Sequence, residues 1–407
     1  MPVQKCYNTG ALTFVSCGGN GMVTGDASYI KRINRSLIVR EIVKAGMISR
    51  AELSKATRLT KATISAQAAD LLNDGLVIER EVEHKAVGRK PIMLTLNADA
   101  GCAVGIDLEY GRLAFTVTDL LGRPVASDLV ALETTNYEDI LALLIRLIDG
   151  CRKTYADRRY GVVGTVISIH GLVSTDERIH YVPRFDWHNL TMKQDLERAL
   201  GAAVNLENNA NLSALAERAF AHHDRDNLLC LTLYSGIGMG MLIRNEFFRG
   251  HDGFAGEIGH MIVVPEGIPC TCGNKGCWEN YASETSVCRG LSADGRGIPD
   301  DGEIKRRLQA GDPAVMEAME RFIYYLSIGL NNLINIHNPE AVVLDSELLR
   351  LYPNALDKLK AGLHSRISHC RELSLSTLGK KSSLLGACAL AIQSFLGVPM
   401  ISLPYEA

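Results

Sequence analysis

One short cysteine-rich stretch constrains this chain more than any other part of its sequence. It contains Cys270, Cys272 and Cys277, with one and four residues between them, and His260 upstream. Three thiolates and one imidazole complete the tetrahedral coordination of a structural zinc ion and leave no position for water. Two glycines inside the stretch allow the tight turns that bring the sulfurs together. The alternative is a loop with three free cysteines and an unrelated histidine, but the tight, glycine-rich spacing favours Zn²⁺.

The same stretch carries two carboxylates beside the predicted metal ligands. A histidine that binds zinc through one ring nitrogen offers the other nitrogen to a partner. The pattern Gly-Glu-Ile-Gly-His followed by Cys-x-Cys-Gly-x-x-Gly-Cys-x-Glu resembles the signature of the ROK family, which contains sugar kinases and sugar-responsive repressors. The resemblance covers nearly the whole chain from Ser28 onward. It implies that Glu257, His260 and Glu279 contact sugar hydroxyls and that His260 also binds the zinc.

The overall composition is that of a soluble globular protein with two or three domains. The chain has 407 residues, of which 47% are hydrophobic and 22% charged. No apolar run approaches the roughly 18 residues that span a bilayer. Residues 1–27 lack an apolar core followed by a cleavage site, so we expect no secretory signal, and Met22 is a candidate start of translation. The eight cysteines outside the zinc stretch are scattered singly, which is typical of a reducing cytoplasm.

The charge is distributed unevenly along the chain. Residues 28–91 contain thirteen Lys and Arg against seven Asp and Glu, whereas the whole chain has a net charge of −3. A basic amino-terminal module on an acidic body indicates nucleic acid binding at one end only. Chance clustering of basic residues on a solvated face is the alternative until other signals agree.

The basic module has the pattern of a winged helix-turn-helix. Apolar periodicity and capping residues predict a helix over 29–46, a short helix opened by the Ser49–Glu52 capping box, a helix capped by Thr60 that ends at Asn73-Asp74-Gly75, and a hairpin of residues 76–79 and 91–96. Two helices joined by a short turn form a helix-turn-helix. Residues 80–90 then form the wing.

The helix that begins at Thr60 is the predicted recognition helix. Its first turns carry short polar side chains suited to base edges and phosphates in the major groove, and the wing turn carries two cations suited to phosphates or the minor groove. The predicted DNA-binding residues are Lys61, Thr63, Ser65, Gln67, Arg89 and Lys90. A winged helix used for protein contact is the alternative. The repressors of the ROK family resemble this module too.

From Ala98 onward the pattern becomes α/β. Repeated β-hairpin and β-α units in two lobes resemble the actin and hexokinase fold, of ribonuclease H-like type, which the ROK family shares. The predicted domains are a flexible extension over 1–27, a winged helix-turn-helix over 28–97, a first α/β lobe over 98–207 plus 388–407, and a second α/β lobe over 208–387 with the zinc loop and an oligomerisation surface.

Three features that a sugar kinase of this family needs are altered. Asp107 is followed by Leu-Glu-Tyr where a Gly-Gly-Thr turn would meet the phosphates of ATP. Asn209 occupies the position of the general-base aspartate, and an amide cannot accept the proton of a sugar hydroxyl. Asp345-Ser-Glu347 replaces a Gly-Gly near the nucleotide. The glycines between 236 and 240 could form a phosphate loop, but a tight turn between strands is the more favoured reading.

The positions that the resemblance assigns to sugar contact are retained, in contrast. They are Asn208, Glu257, His260 and Glu279, and Asn209, although it replaces the base, still offers hydrogen bonds to the sugar. A pocket that keeps the ligand and loses the chemistry is typical of a sensor. We therefore predict a non-enzymatic, sugar-responsive repressor of carbohydrate-utilisation genes.

The predicted partners are operator DNA, a sugar or sugar phosphate as the effector, and further copies of the chain in a homodimer or homotetramer. The segment from Trp278 to Glu284 looks closest to the xylose-responsive branch of the family. Two alternatives remain open at this point: an ATP-dependent sugar kinase with an unusual base, and a DNA-binding scaffold that docks a sugar-transport protein.

Overall fold

The computed structural model describes residues 27–81, 92–292, 301–367 and 369–404. The α-helices are α1 (Ala27–Ala45), α2 (Arg50–Thr57), α3 (Lys61–Asn73), α4 (Tyr137–Thr154), α5 (Met192–Leu200), α6 (Asn209–Ala216), α7 (Glu279–Ala282), α8 (Glu284–Ser292), α9 (Asp301–Gln309), α10 (Pro313–His337), α11 (Glu347–Leu351), α12 (Ala355–Gly362) and α13 (Ser382–Leu396).

The β-strands belong to four sheets. They are β1 (Ile48–Ser49), β2 (Val77–Glu81), β3 (Ile92–Leu96), β4 (Cys102–Glu109), β5 (Arg112–Thr118), β6 (Pro124–Ala131), β7 (Val162–Ile169), β8 (Leu172–Val173), β9 (Ile179–Val182), β10 (Trp187–Leu190), β11 (Asn205–Asn208), β12 (Leu228–Thr232), β13 (Gly238–Ile243), β14 (Glu246–Phe247), β15 (Ala341–Asp345) and β16 (Glu372–Leu375).

The amino-terminal module is a winged helix. Helices α1, α2 and α3 pack on an antiparallel sheet of order β1-β3-β2, with Val77 opposite Leu96. The predicted capping box is present, since the Ser49 hydroxyl accepts from the Glu52 amide at 3.2 Å and the Glu52 carboxylate accepts from the Ser49 amide at 2.9 Å. Thr60 caps α3 through the Thr63 amide at 3.1 Å. These local bonds fix both helix starts of the helix-turn-helix.

The core of this module contains most of the predicted apolar stripe, but Ile30 and Ile33, near the start of α1, are about half exposed. Ile38, Ile42, Leu53, Ile64 and Leu71 are completely buried. The short strand β1 was not predicted, because two residues are too few to show alternation. The predicted extension over 1–27, except its last residue, and the predicted wing tip lie outside the described residues.

The rest of the chain forms two lobes that share one sheet topology. The first sheet has the order β11-β7-β4-β5-β6 and the second the order β14-β13-β12-β15-β16. In each, three consecutive antiparallel strands form a meander, and two later strands add in parallel beside the first strand of that meander. This repeated arrangement is the two-lobed actin-like fold that the resemblance implied.

Helices α6 and α13 connect the two lobes. Helix α6 leaves the end of β11 and lies against both α13 and β13. A Cβ atom at Gly386 on α13 would lie 1.9 Å from the Leu212 carbonyl oxygen, and one at Gly240 on β13 would lie 2.1 Å from the Ala210 carbonyl oxygen. Only glycine permits these contacts, so α6 is held closely between the lobes.

The long helix α10 of the second lobe shares one apolar core with the strands of its sheet. Helix α10 buries one face of large apolar side chains, among them Phe322, Leu326 and Leu330. Within the described residues, no helix is both long and apolar enough to cross a membrane.

Candidate functional site

The four predicted zinc ligands lie together on the loop that precedes α7. The ligand atoms of His260, Cys270, Cys272 and Cys277 are all within 4.8 Å of one another. Cys270 Sγ lies 3.6 Å from His260 Nδ1, and Cys272 Sγ lies 3.6 Å from Cys277 Sγ. None of these cysteines forms a disulfide. A tetrahedral zinc site with bonds of about 2.3 Å places its sulfurs about 3.8 Å apart, so the group fits this ion.

Local sequence explains why the loop closes in this way. Gly273 and Gly276 have φ angles of +96° and +81°, and a Cβ atom at Gly276 would lie 1.7 Å from the Val264 carbonyl oxygen. Trp278, which is completely buried, anchors the end of the loop and donates its indole N–H to the Tyr325 carbonyl oxygen at 2.8 Å. The loop is therefore fixed on α10 next to the metal group.

The predicted sugar-contacting side chains of the second lobe surround His260. Its Nδ1 faces the metal group and lies 3.4 Å from Glu279 Oε1, whereas its Nε2 lies 3.9 Å from Glu257 Oε2. The side chain of Glu257 is 47% exposed and that of His260 is 34% exposed. His260 thus turns Nδ1 to the cysteines and Glu279, and Nε2 to the open side, where the Glu257 carboxylate can accept a hydrogen bond from a hydroxyl.

The two asparagines at the crossover between the lobes differ in their contacts. Asn208 caps α6: its Oδ1 accepts from the Ala210 amide at 2.8 Å, and its Nδ2 donates to the Gly171 carbonyl oxygen at 2.9 Å. Asn209 is half-buried, and among the described residues its side chain has no hydrogen-bond partner. Asn208 is therefore largely engaged in fixing the helix start, and Asn209 is the asparagine whose amide is open to a ligand.

One turn joins these asparagines to the zinc loop. The connection between β12 and β13 approaches both the start of α6 and the carboxylate of Glu279. A Cβ atom at Gly238 would lie 3.2 Å from Ala210, and one at Gly236 would lie 2.8 Å from Glu279 Oε2. This connection consists of residues 233–237 and joins two antiparallel strands. Its glycines let α6 and Glu279 approach from either side.

An ion pair between the lobes was not predicted. Glu207 lies at the end of β11 and its side chain is 8% exposed, while Arg249 follows β14 in the second lobe. Arg249 Nε and one terminal nitrogen donate to Glu207 Oε2 at 3.0 and 2.5 Å, and Asn211 donates to Glu207 Oε1 at 2.9 Å. Glu207 directly precedes the two asparagines, so this pair fixes their strand against the second lobe. The carboxylate of Glu207 in a short strand could have indicated a buried ion pair. No pattern in the sequence pointed to its partner 42 residues away.

Asp107, which precedes the altered phosphate turn, is bound to other side chains of the protein. Asp107 is buried, and its Oδ1 accepts from the Ser168 hydroxyl at 2.6 Å and the Ser383 hydroxyl at 3.1 Å and lies 3.0 Å from His170 Nε2. Burial opposes charge on both partners, but the Asp107 carboxylate raises the pKa of His170 above its usual value. His170 in turn holds the pKa of Asp107 low despite burial. Glu109, the next carboxylate, is paired with Arg112.

The third altered kinase position is also occupied by its own network. Tyr234 donates to Asp345 Oδ1 at 2.6 Å, Ser382 donates to Asp345 Oδ2 at 3.1 Å, and Arg350 donates to Glu347 at 3.0 Å and to the Tyr234 oxygen at 3.2 Å. Burial and the Asp345 carboxylate raise the pKa of Tyr234, which keeps its hydroxyl protonated. Side chains thus stand where the family's kinases have glycines.

The recognition helix presents part of the predicted DNA-binding set. Lys61 and Ser65 are exposed on α3, and Thr63 is half-buried with its hydroxyl 2.9 Å from that of Thr60. Arg58, exposed at the turn before α3 with a φ of 58°, is a further cation that was not predicted. Arg89 and Lys90 lie outside the described residues.

The structure corrects one member of that set. Gln67 is only 5% exposed and lies on the inner face of α3 with Ile64 and Leu71, so its side chain does not face the surface that would meet DNA. Its Oε1 is buried without a hydrogen-bond partner among the described residues. Helical spacing places residue 67 three after Ile64 and four before Leu71, on the buried stripe.

Comparison with known proteins shows which of them resemble this chain in sequence and architecture. The ROK family profile matches residues 103–394. A xylose repressor of Bacillus subtilis is 33% identical over 380 residues, which covers 92% of this chain and 99% of that protein. The crystal structure of a ROK family transcriptional regulator, a homologue of the E. coli MLC protein, has a TM-score of 0.78 at 25% identity and covers 90% of this chain and 97% of its own.

A kinase of known structure matches less of the chain. A ROK family glucokinase from Streptomyces griseus, solved with glucose and AMPPNP, has a TM-score of 0.64 at 27% identity and covers 72% of this chain and 100% of its own. The regulators therefore match over a longer part of this chain than this glucokinase does. On the extent of the profile match and of these alignments, this chain belongs to the ROK family.

Proposed function

We propose that this protein is a sugar-responsive transcriptional repressor of carbohydrate-utilisation genes and not a sugar kinase. The observation that carries the proposal is a contrast between two groups of side chains. Asn209, Glu257, His260 and Glu279 offer polar groups that support binding of a polyhydroxylated ligand, whereas Asn209 puts an amide at the base position and Asp107 and Asp345 are bound to other side chains. Without a base, proton removal from the sugar loses on the order of 100- to 10,000-fold in rate.

The effector we propose is xylose or a closely related aldose or its phosphate. The similarity to a xylose repressor supports the pentose, and the group of two carboxylates and one imidazole supports a ligand rich in hydroxyls. Asn208, whose oxygen caps α6, contributes at most one remaining N–H to this ligand.

Zn²⁺ is the metal we propose for His260, Cys270, Cys272 and Cys277. Three thiolates and an imidazole form a closed coordination set, so the ion would be structural and would supply rigidity to the loop rather than reactivity. With Nδ1 directed to the metal, His260 would keep Nε2 for a hydroxyl of the sugar.

Operator DNA is the proposed macromolecular partner. Lys61 and Ser65 on the exposed face of α3 support major-groove contact, with Thr63 beside them and Arg89 and Lys90 as proposed wing contacts. One winged helix makes few base contacts, so we propose that the protein binds two half-sites as a homodimer or homotetramer in the cytoplasm.

The test is operator binding by the purified, zinc-loaded chain with a panel of aldoses and their phosphates. The proposal expects specific binding that one sugar releases, with no ATP consumption. ATP-dependent phosphorylation at ordinary enzymatic turnover, about 1–1,000 per second, would favour the kinase instead. Operator binding that no sugar changes would favour the scaffold that docks a transport protein.

A further inference from the structure

The carboxyl end of the recognition helix is held by two side chains of the first lobe. Arg159 and Tyr160 lie in the turn between α4 and β7. Arg159 donates one terminal N–H to the Asn73 carbonyl oxygen at 2.9 Å and its Nε–H to the Asp74 carbonyl oxygen. The Tyr160 hydroxyl donates to the same Asp74 oxygen at 2.8 Å. The end of α3 is thus bound directly to the first lobe.

The chemistry of a helix end explains the strength of this contact. The last carbonyl oxygens of a helix lack intrahelical partners and carry partial negative charge. A guanidinium meets two adjacent oxygens with a planar fork of donors. Gly75, with a φ of +68°, leaves room for that fork, since a Cβ atom there would lie 2.7 Å from Arg159 Cδ. The helix stop predicted from the sequence is therefore also a docking point.

The contact continues inward to helix α6. The Tyr160 ring meets the Phe395 ring on α13 edge to face, with centroids 5.0 Å apart. Helix α13 touches α6 where Gly386 approaches the Leu212 carbonyl oxygen. Helix α6 begins at Asn209, beside the proposed effector. A continuous series of packed groups thus joins the proposed sugar site to the recognition helix.

We propose that Arg159 and Tyr160 are positioning residues that set the orientation of the recognition helix and transmit the state of the sugar site to it. The transmission part rests on the proposed function. Neither residue touches the proposed sugar site, so their loss should alter the response to sugar and not the affinity for sugar.

Arg152 provides a matched control. It lies in the same lobe and donates to the Leu200 carbonyl oxygen at the end of α5 at 2.8 Å, so it also binds a helix end but does not contact the winged helix in the described structure. The variants are Arg159→Gln, Tyr160→Phe and Arg152→Gln in the full chain. Tyr160→Phe removes one hydrogen bond and keeps the ring on Phe395.

The first readout is the ratio of operator Kd with and without the releasing sugar. We expect Arg159→Gln to reduce this ratio by about 3- to 30-fold, the range for residues that carry coupling, and Tyr160→Phe to reduce it less. Sugar affinity in the absence of DNA and the ratio for Arg152→Gln should stay at the wild-type values. A wild-type ratio in Arg159→Gln, or an equal loss in Arg152→Gln, would overturn the transmission role.

The second readout does not depend on any sugar. Genetically encoded labels at exposed positions 69 on α3 and 153 on α4 report the distance between the winged helix and the first lobe. Arg159→Gln should broaden the distribution of distances, and Arg152→Gln should not. If wild type fails to respond to sugar, the proposed function fails, and a broadened distribution would still support the positioning role. An unchanged distribution would overturn that role whatever the sugar result.

Discussion

Two groups of side chains, which we call the two sides of the proposed cleft, differ in what their polar groups are bound to: the effector side (Asn209, Glu257, His260 and Glu279) and the phosphate side (Asp107 and Asp345). On the effector side, the Asn209 amide has no partner among the described residues and the Glu257 carboxylate is about half exposed. On the phosphate side, Asp107 has three side-chain partners and Asp345 has bonds from Tyr234 and Ser382. A buried acceptor that already has its donors would lose them to a ligand at a cost, whereas an open group gains a partner. Binding without transfer chemistry follows from this difference.

The largest effect is expected from the metal group, because it fixes the whole effector side. Cys277→Ser should lose zinc, lower the unfolding temperature and abolish the sugar response, since His260 loses its fixed orientation. Cys370→Ser, at a half-buried thiol outside the group, should retain all three properties. Elemental analysis should find about one zinc per wild-type chain. A well-folded, sugar-responsive protein without metal would contradict the expectation.

The next effect is expected at the ion pair between the lobes. Arg249→Gln leaves the buried Glu207 carboxylate without its cation, which costs about 3–5 kcal/mol for a buried pair and nearer the lower limit here because Arg249 is one-third exposed. Denaturant unfolding measures this loss. Arg198→Gln, which breaks an exposed pair with Asp195, should cost less than about 1 kcal/mol. Adding Glu207→Gln to Arg249→Gln should recover part of the loss, and equal costs for the two arginine variants would argue against the pair.

A smaller effect is expected from pH on the phosphate side. The native pKa of His170 is raised by Asp107, with Glu109 also raising it and Arg112 lowering it. A raised native pKa stabilises the fold below the unfolded value of about 6.5, and this contribution is lost as pH rises through the native pKa. Unfolding free energy measured from pH 6 upward should therefore fall more in wild type than in His170→Asn. Parallel curves for the two proteins would remove His170 as the cause.

No gain of activity is expected from repairing the base alone. Asn209→Asp restores a carboxylate at the base position but leaves the Asp107 and Asp345 networks in place. The phosphate groups of ATP would still meet side chains that already have hydrogen-bond partners. A coupled assay of ADP formation with xylose and glucose should read the same for wild type and Asn209→Asp. Turnover in the variant would show that the two sides of the cleft are less different than their contacts indicate.

Local signals in the sequence predicted the parts of the structure that depend on neighbours along the chain. The capping box at Ser49, the cap at Thr60 and the helix stop before Gly75 are all present. The zinc loop was equally local, because its cysteines lie within eight residues and its glycines permit the turns. The buried position of Gln67 could also have been predicted, since helical spacing outweighs residue type on a packed face.

Other features depend on residues far apart in sequence and carried no local signal. Glu207 contacts Arg249 only because β11 ends beside the segment that follows β14. Tyr234 contacts Asp345 only because β12 and β15 are parallel neighbours. Such partners follow from sheet order, which the sequence indicated only through a resemblance. The capping role of Asn208 could have been predicted, because an asparagine immediately before a helix is a preferred N-cap residue. The family resemblance assigned Asn208 to sugar contact instead.

Operator affinity with and without the releasing sugar, in wild type and in Glu257→Ala, tests the central claim most directly. Loss of the carboxylate removes a hydroxyl contact on the open side of the cleft and leaves α3 untouched. Wild type should lose affinity by about 100-fold with sugar, or about 2.7 kcal/mol, within the usual range of allosteric coupling. Glu257→Ala should bind the operator as wild type does and keep it at the same sugar concentration. If the variant still releases the operator there, the effector does not bind where this account places it.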